Sequence, residues 1–306
     1  VLAGNNQKKT KYILEAIKAG YHVLSDKPLA INRQDFDLLA TAYQLAQKKG
    51  LLLYDLMTER YDILNIIERE LLHTPEIFGE LLQGSLTEPT VSMESVHHFF
   101  KTVSGKPLTR PAWYYDVAQQ GEGIADVTTH LIDFPSYLNK YVKDNVLEVL
   151  ANGTLHYTVK GIHVNMKVTW NYTPPKGGGD TFTSIKKGSK ATLKTIQDKE
   201  SGFVKQLYIQ KSPDMDSAGF EDQLQKTIQR LQAKSPFLFI KDMGNGTYLI
   251  DIPQENRSGH EAHFSKVAES FLTYLHDKNM PQWENENTIS KYYITTTAVE
   301  LAKKEK

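Results

Sequence analysis

The chain of 306 residues contains no cysteine. That removes disulfides, thiolate zinc sites and cysteine nucleophiles together, and it fits a cytoplasmic or an exported protein equally. An excess of charge is also missing. Lys and Arg number 36 and so do Asp and Glu, so nothing electrostatic draws the chain to nucleic acid or anionic lipid. No window approaches the ~18 uninterrupted apolar residues of a membrane span. Repeats and low-complexity tracts are absent. Four Asn-x-Ser/Thr triplets, at Asn152, Asn171, Asn245 and Asn256, read as chance matches. The glycine-rich strand–turn–helix that cradles a pyrophosphate is not found either. Gly121-Glu122-Gly123-Ile124-Ala125-Asp126 has part of its spacing but follows no strand, and Gly177-Gly178-Gly179-Asp180 fails the same test. The chain opens on Val1-Leu2-Ala3 without an initiator Met, as though in mid-strand, and natural sequence is expected upstream.

What is present is ordinary globular composition, 40% hydrophobic and 24% charged, at a length comfortable for two domains. The first 56 residues alternate. Val1 to Ala3 reads as a strand end. Tyr12, Ile13, Ala16 and Ile17 then mark the inner face of a helix that Gly20 closes. Tyr21 to Leu24 is a second strand. Asn32 with Asp35 opens a second helix with Phe36, Leu39, Ala40 and Tyr43 inward, ending at Gly50. "LLLYDL" is a third strand, apolar enough to be buried on both faces. Such β-α-β-α-β order with short links means parallel strands and right-handed crossovers, half of a doubly wound sheet. After Arg60 come a helix over Ile63 to Leu72 and "FGELLQGSLT", which reads as the first strand of a new sheet. "TLHYTV", "HVNMKVTWNY", "KATLKTI" and "VKQLYIQ" alternate as antiparallel strands. A helix from Glu221 to Leu231, the strand "GTYLIDIP" and two closing helices, His263 to His276 and Thr288 to Ala302, complete the chain. The fold class is α/β plus α+β: a partial parallel (Rossmann) unit over 1–60, then a larger domain over 61–306 built on an antiparallel sheet with flanking helices.

The run "EAIKAGYHVLSDKPLA" delivers Lys27 at the end of an apolar strand, with Pro28 fixing the next backbone angle. Strand ends of α/β sheets are where ligands bind. An ammonium there can donate to a hydroxyl or carbonyl oxygen and stabilise negative charge; it can also lie solvated on its stem. Both readings stand on position alone. In "QQGEGIADVTTHLIDF" a helix is expected from Ile124 to Leu138, placing Asp126 and His130 on one face. A carboxylate orienting an imidazole suits proton transfer; the plainer reading is an acidic residue at a helix N-terminus beside a packed histidine. His97 and His98 point to opposite faces of a strand. Surface placement of both is the preferred reading, with His98 the one placed to line a pocket. Arg60 and Trp113 could grip a polar ligand, Trp113 by stacking on a sugar ring, although core packing is the simpler account of Trp113. No metal ligands are assigned; Asp214, Asp216 and Asp222 are too irregular for a calcium loop.

Together these segments resemble the Gfo/Idh/MocA oxidoreductases, the family of glucose–fructose oxidoreductase and inositol dehydrogenase. "EAIKAGYHVLSDKPLA" is similar to the family's Glu-Lys-Pro segment, and "GEGIADVTTHLIDF" to its Gly-Gly-Gly…Asp-x-x-x-His-x-x-Asp segment. "MTERYD" and "PEIFGEL" resemble the exit from the Rossmann sheet and the entry into the second domain. The likeness is ordered over residues 1 to about 140 and points to a subfamily with an enlarged C-terminal domain. It implies Lys27 as catalytic lysine, His130 as proton-transferring residue with Asp126 its partner, and Asn5, Asp26 and Lys27 beside NAD or NADP. Arg60, His98 and Trp113 remain substrate-binding candidates. The implied reaction is hydride transfer between nicotinamide and a sugar, polyol or derivative, in a homodimer or homotetramer whose sheet floors the sugar pocket. Two departures stand out. The family's Glu is Asp26 here, and the glycine-rich cofactor loop precedes this region in the family. Two rival readings follow: a redox-assisted glycosidase restoring its own NAD, and a non-catalytic carbohydrate-binding or assembly fragment.

Overall fold

The computed structural model describes residues 1–98, 102–103, 106–107, 111–123, 142–143, 146–147, 152–171 and 174–304. Its first unit is a parallel one. Leu2 bridges Ser25, its N–H donating to Leu24 O while Asp26 N donates back to Leu2 O, both at 2.8 Å. Strand β1 (Val23–Asp26) pairs in parallel with β2 (Leu53–Leu56), setting Ser25 against Asp55 and Asp26 against Leu56. Helix α1 (Asn6–Lys18) starts where the Asn5 side chain accepts from Gln7 N, a capping bond for an otherwise orphaned donor. Helix α2 (Arg33–Lys49) starts where Asn32 accepts from Asp35 N and donates to the Asp35 carboxylate at 3.0 Å. Gly50 ends it at φ 66°, a left-handed turn that favours glycine. Ile13, Ile17, Leu39, Ala42 and Leu53 make the apolar core between these helices and the strands.

Helix α1 is turned relative to the sequence expectation. Tyr12 is exposed, while Lys9, Thr10 and Leu14 are buried. The cause is polar: the Thr10 hydroxyl donates to Leu29 O and the Lys9 ammonium to carbonyls at the end of β1, so this face must meet the strand ends.

Helix α3 (Ile63–Leu72) leads to the second sheet, capped by the Asp62 side chain on Leu64 N. The stretch 78–87, expected as a strand, forms only isolated bridges at Leu81 and Gly84. Gly79 and Gly84 lie at φ 72° and 69°, a left-handed backbone that breaks an extended run. The first strand is instead β3 (Val91–His98). Two short pairs follow, β4 (Thr102–Val103) with β5 (Lys106–Pro107) and β6 (Val142–Lys143) with β7 (Val146–Leu147), the short helix α4 (Val117–Gln120) lying between them in the chain. Then come β8 (Gly153–Val159), β9 (Ile162–Asn171), β10 (Thr181–Lys187), β11 (Ala191–Gln197) and β12 (Gln206–Lys211). Helix α5 (Ser217–Gln232) precedes β13 (Phe239–Gly244) and β14 (Thr247–Asp251). The eight-stranded order is β13-β14-β12-β11-β10-β3-β9-β8. Neighbours run antiparallel except β3 and β9, which are parallel, so the expectation of purely antiparallel pairing is corrected there. Strands β10 and β13 escape the sequence reading because both are interspersed with Lys, Thr, Ser or Asp.

Apolar residues of β11, β12 and β14 pack under α3 and α5, joining Ile67 and Leu71 to Leu193, Ile209, Phe220, Leu224 and Ile250. Ile67 and Leu71 are four residues apart, so both lie on the face of α3 that meets the sheet. Glu68 ties the same helix to the strands, accepting from Lys186 at 2.8 Å and from the Thr195 hydroxyl at 3.2 Å. The chain then returns to the parallel unit. Helix α6 (His260–Asp277) packs Val267 against Leu24 and Tyr54, and helix α7 (Gln282–Lys304) places Tyr292 in the first core. No helix among the described residues is long and apolar enough to cross a membrane.

Candidate functional site

The carboxyl ends of β1 and β2 gather the polar residues. Lys27 directly follows β1 and is exposed, while Pro28 to Ile31 behind it are buried. The turn is held from beneath by Lys9, only 3% exposed. Its ammonium donates to Asn6 Oδ1 at 2.7 Å, Asp26 O at 3.0 Å and Lys27 O at 3.4 Å. A buried ammonium is costly unless its donors are met, and here it fixes the carbonyls on either side of the Asp26–Lys27 step.

The segment before the expected Asp126–His130 helix docks on the same edge. Asn5 Nδ2 donates to Gln119 Oε1 at 2.9 Å, and Asn6 Nδ2 donates to Gln120 O at 3.0 Å. Gly121 lies at φ 90°, and a Cβ there would stand 2.7 Å from Ile31, so the segment rests on the loop after Lys27. Glu122, buried, meets Lys303 of α7 at 3.2 Å. Asp126 and His130 themselves lie outside the described residues.

A second cluster flanks the first; the sequence offered its Arg60 as a candidate but not Asp55, Glu284 or Lys291. Asp55, within β2, is 1% exposed. Its Oδ2 accepts from the Lys291 ammonium and from the Tyr292 hydroxyl, the latter at 3.3 Å. Its Oδ1 is buried with no hydrogen-bond partner among the described residues. Burial lowers the Lys291 pKa; Asp55 opposes that, and the charges of Arg60 and Lys27 lower it further. Arg60 pairs with the buried Glu284 carboxylate and lies over the Trp283 ring, 5.9 Å from its centre. Burial works against the Arg60 charge, but Glu284 outweighs it and holds the pKa above its ordinary value. The visible signal was the acid within the apolar run "LLLYDL".

The histidine pair stands elsewhere, at the end of β3. The preferred surface placement is corrected: His98 is buried. Asp180 Oδ1 accepts from His98 N at 2.9 Å and lies 3.1 Å from His98 Nδ1, while Oδ2 lies 3.2 Å from His97 Nδ1. His97 also lies against Trp170, ring centres 4.8 Å apart. Trp113 is half-buried, edge-on to Tyr114 at 6.2 Å. Among the described residues no group of three or more His, Cys, Asp or Glu could hold a metal ion.

A cleft of about 340 Å³ opens beside Leu2, lined by Ala3, Asn5, Gln7, Lys8, Lys9 and Gln119 among others. Ligand pockets run from roughly 300 to 1,000 Å³, and this cleft lies at the lower end of that range. Gly4 follows Ala3 at φ 104°, and a Cβ added there would meet nothing within 4 Å, so the backbone turn beside the cleft is open. Of the residues placed beside the cofactor by the resemblance, Asn5 lines this cleft, whereas Asp26 and Lys27 are not among its lining residues.

Comparisons with known proteins agree with this architecture. The family described as "Putative oxidoreductase C terminal domain" matches residues 67–134 and 133–303. A crystal structure of a "putative oxidoreductase" from Parabacteroides merdae ATCC 43184 is 41% identical, covering 100% of this chain and 79% of that one with a TM-score of 0.92. Two more distant structures share the fold. KijD10, a 3-ketoreductase from Actinomadura kijaniata in complex with NADP and TDP-benzene, is 13% identical over 95% of this chain and 74% of its own, at a TM-score of 0.51. Biliverdin reductase from Synechocystis sp. PCC 6803, in complex with biliverdin and NADP+, is 14% identical over 98% and 78%, at 0.57. No curated protein matches significantly. On the family match and the 41% identity over its whole length, the chain belongs to the oxidoreductase family that carries this C-terminal domain.

Proposed function

We propose that the chain belongs to an NAD(P)-dependent oxidoreductase of the Gfo/Idh/MocA type, moving a hydride between nicotinamide and a hydroxyl-bearing carbon of a sugar or polyol derivative. The observation that carries this reading is the docking of the 119–122 segment, through Asn5 and Asn6, onto the turn that presents Lys27. Segments more than 90 residues apart in sequence thereby meet at one strand-end edge. When bound, the cofactor supplies the hydride acceptor or donor. The chain's own residues do the rest. The Lys27 ammonium donates to the substrate oxygen and offsets its negative charge. His130, oriented by Asp126, takes or returns the hydroxyl proton. Lys9 keeps the Lys27 turn from shifting. In this reading residues 1–60 contribute to the cofactor side, 61–306 to the substrate side, and the molecule works as a homodimer or homotetramer. His98, Arg60 and Trp113 serve substrate binding less directly: His98 is engaged by Asp180, and Arg60 by Glu284.

The test is NAD(P)H formation across a panel of sugars and polyols, for wild type and Lys27→Ala. Loss of about a hundredfold or more in kcat with an unchanged melting temperature is expected. An undiminished rate would end the assignment of Lys27.

A further inference from the structure

Helix α7 meets the parallel unit along one stripe. Tyr292, Thr296 and Val299 are buried, and their spacing of four and then three residues puts them on one helical side. Tyr292 shares its core with Leu29 and Ala30 of the loop after Lys27. Arg33, which opens α2 directly after that loop, donates to Thr297 Oγ1 at 3.3 Å. Lys303 stands four residues beyond Val299, so the buried stripe of α7 ends on a cation.

That cation meets a carboxylate largely withdrawn from water. The Glu122 side chain is 6% exposed, and Lys303 Nζ lies 3.2 Å from its Oε1. A buried carboxylate is costly without a counter-charge. Three successive residues of this segment are therefore gripped from three elements. Asn6 of α1 holds Gln120 O, Ile31 of the post-Lys27 loop meets Gly121, and Lys303 of α7 meets Glu122. Glu122 stands four residues before Asp126 and eight before His130.

A basic residue in the last turn of a helix also favours the helix dipole. Lys304 offers the same charge in the same turn, and it pairs with Glu300 of its own helix at 2.9 Å. The dipole therefore does not explain why Lys303 is aimed at Glu122.

We propose that Lys303 is a positioning residue: through Glu122 it holds the 119–123 segment in register with the Lys27 turn, and the closing helix thereby takes part in turnover. The part in turnover rests on the oxidoreductase reading; the holding of the segment does not.

The experiment is hydrogen–deuterium exchange on the full chain, followed by kinetics, for wild type, Lys303→Met, Lys303→Arg and Lys304→Met. The amides of Gln120 and Gly121 donate to Asp116 O and Val117 O, so their exchange reports local opening of the segment. Lys303→Met should speed that exchange about fivefold or more while the amides of β11 exchange as before. Lys303→Arg should restore most of the protection. Lys304→Met, which removes the same charge from the same turn, should change neither exchange nor rate. In turnover, Lys303→Met should lower kcat about tenfold with KM for the cofactor unchanged, and Lys303→Arg should recover it. Unchanged exchange at 120–121 in a folded Lys303→Met overturns the proposal, and so does equal loosening by Lys304→Met. A loosened segment with undiminished kcat overturns the part in turnover. A wild type that turns over no sugar or polyol bears on the oxidoreductase reading instead, and exchange alone then decides whether Lys303 holds the segment.

Discussion

The Glu68 cluster on the eight-stranded sheet and the Asp55 cluster of the parallel unit are both buried beside apolar cores but differ in how their polar groups are satisfied. In the larger sheet, Glu68, Lys186, Thr195 and Ser184 close on one another in a hydrogen-bonded network. Such a network fixes α3 on its strands and leaves nothing to offer a ligand. The Asp55 cluster is less fully closed: Asp55 keeps a buried oxygen unpartnered among the described residues, and Lys291 stays partly exposed. Closed networks hold the scaffold together. Open ones mark the edge where chemistry is expected.

That contrast can be broken or sharpened by substitution. The largest loss of stability should come from the larger core: Leu193→Ala, at a fully buried position, should cost about 3 kcal/mol in chemical denaturation. Activity per folded molecule should survive. Lys9→Met should do the reverse. Unfolding should cost less, about 1–2 kcal/mol from the lost hydrogen bonds, while kcat falls more than KM changes because the Lys27 turn loosens; equal effects on folding and turnover would make Lys9 a scaffold residue. Gly121→Ala sets a Cβ against Ile31 at a left-handed φ and should cost about 1 kcal/mol, with lowered turnover. Its test is the melting temperature beside the rate.

The smallest effect is a pH dependence. Burial disfavours the Lys205 charge, but Glu59 and Asp62 outweigh it and raise the pKa above 10.5. The folded value exceeds the unfolded one, so this contribution is complete below pH 10.5 and is lost as pH rises through the folded value. Lys205→Met should flatten the alkaline fall in melting temperature by an amount worth under ~1 kcal/mol. An identical fall in both proteins would show that the pair adds nothing.

Much of the parallel unit was legible because its signals are local. Asn32 with Asp35, Gly50 and the strand-ending Lys27-Pro28 each act within a few residues of one another. The closing helices were legible in outline for the same reason. The partners that build the site were not. Asp55 meets Lys291 across 236 positions, and Asn6 meets Gln120 across 114; no periodicity encodes such pairs. Strand β10 alternates Thr, Ser and Lys with few apolar residues, so half-burial in the middle of a sheet left little trace. Likewise, the burial of His98 follows from Asp180, 82 positions away.

The central claim is that the ends of the parallel strands form a nicotinamide site. The most direct measurement titrates the purified chain with NADH and NADPH, following energy transfer from its three tryptophans to the bound nicotinamide. The account predicts saturable binding in the micromolar range, tighter for one cofactor than the other. Absence of energy transfer up to millimolar concentrations of both would contradict it.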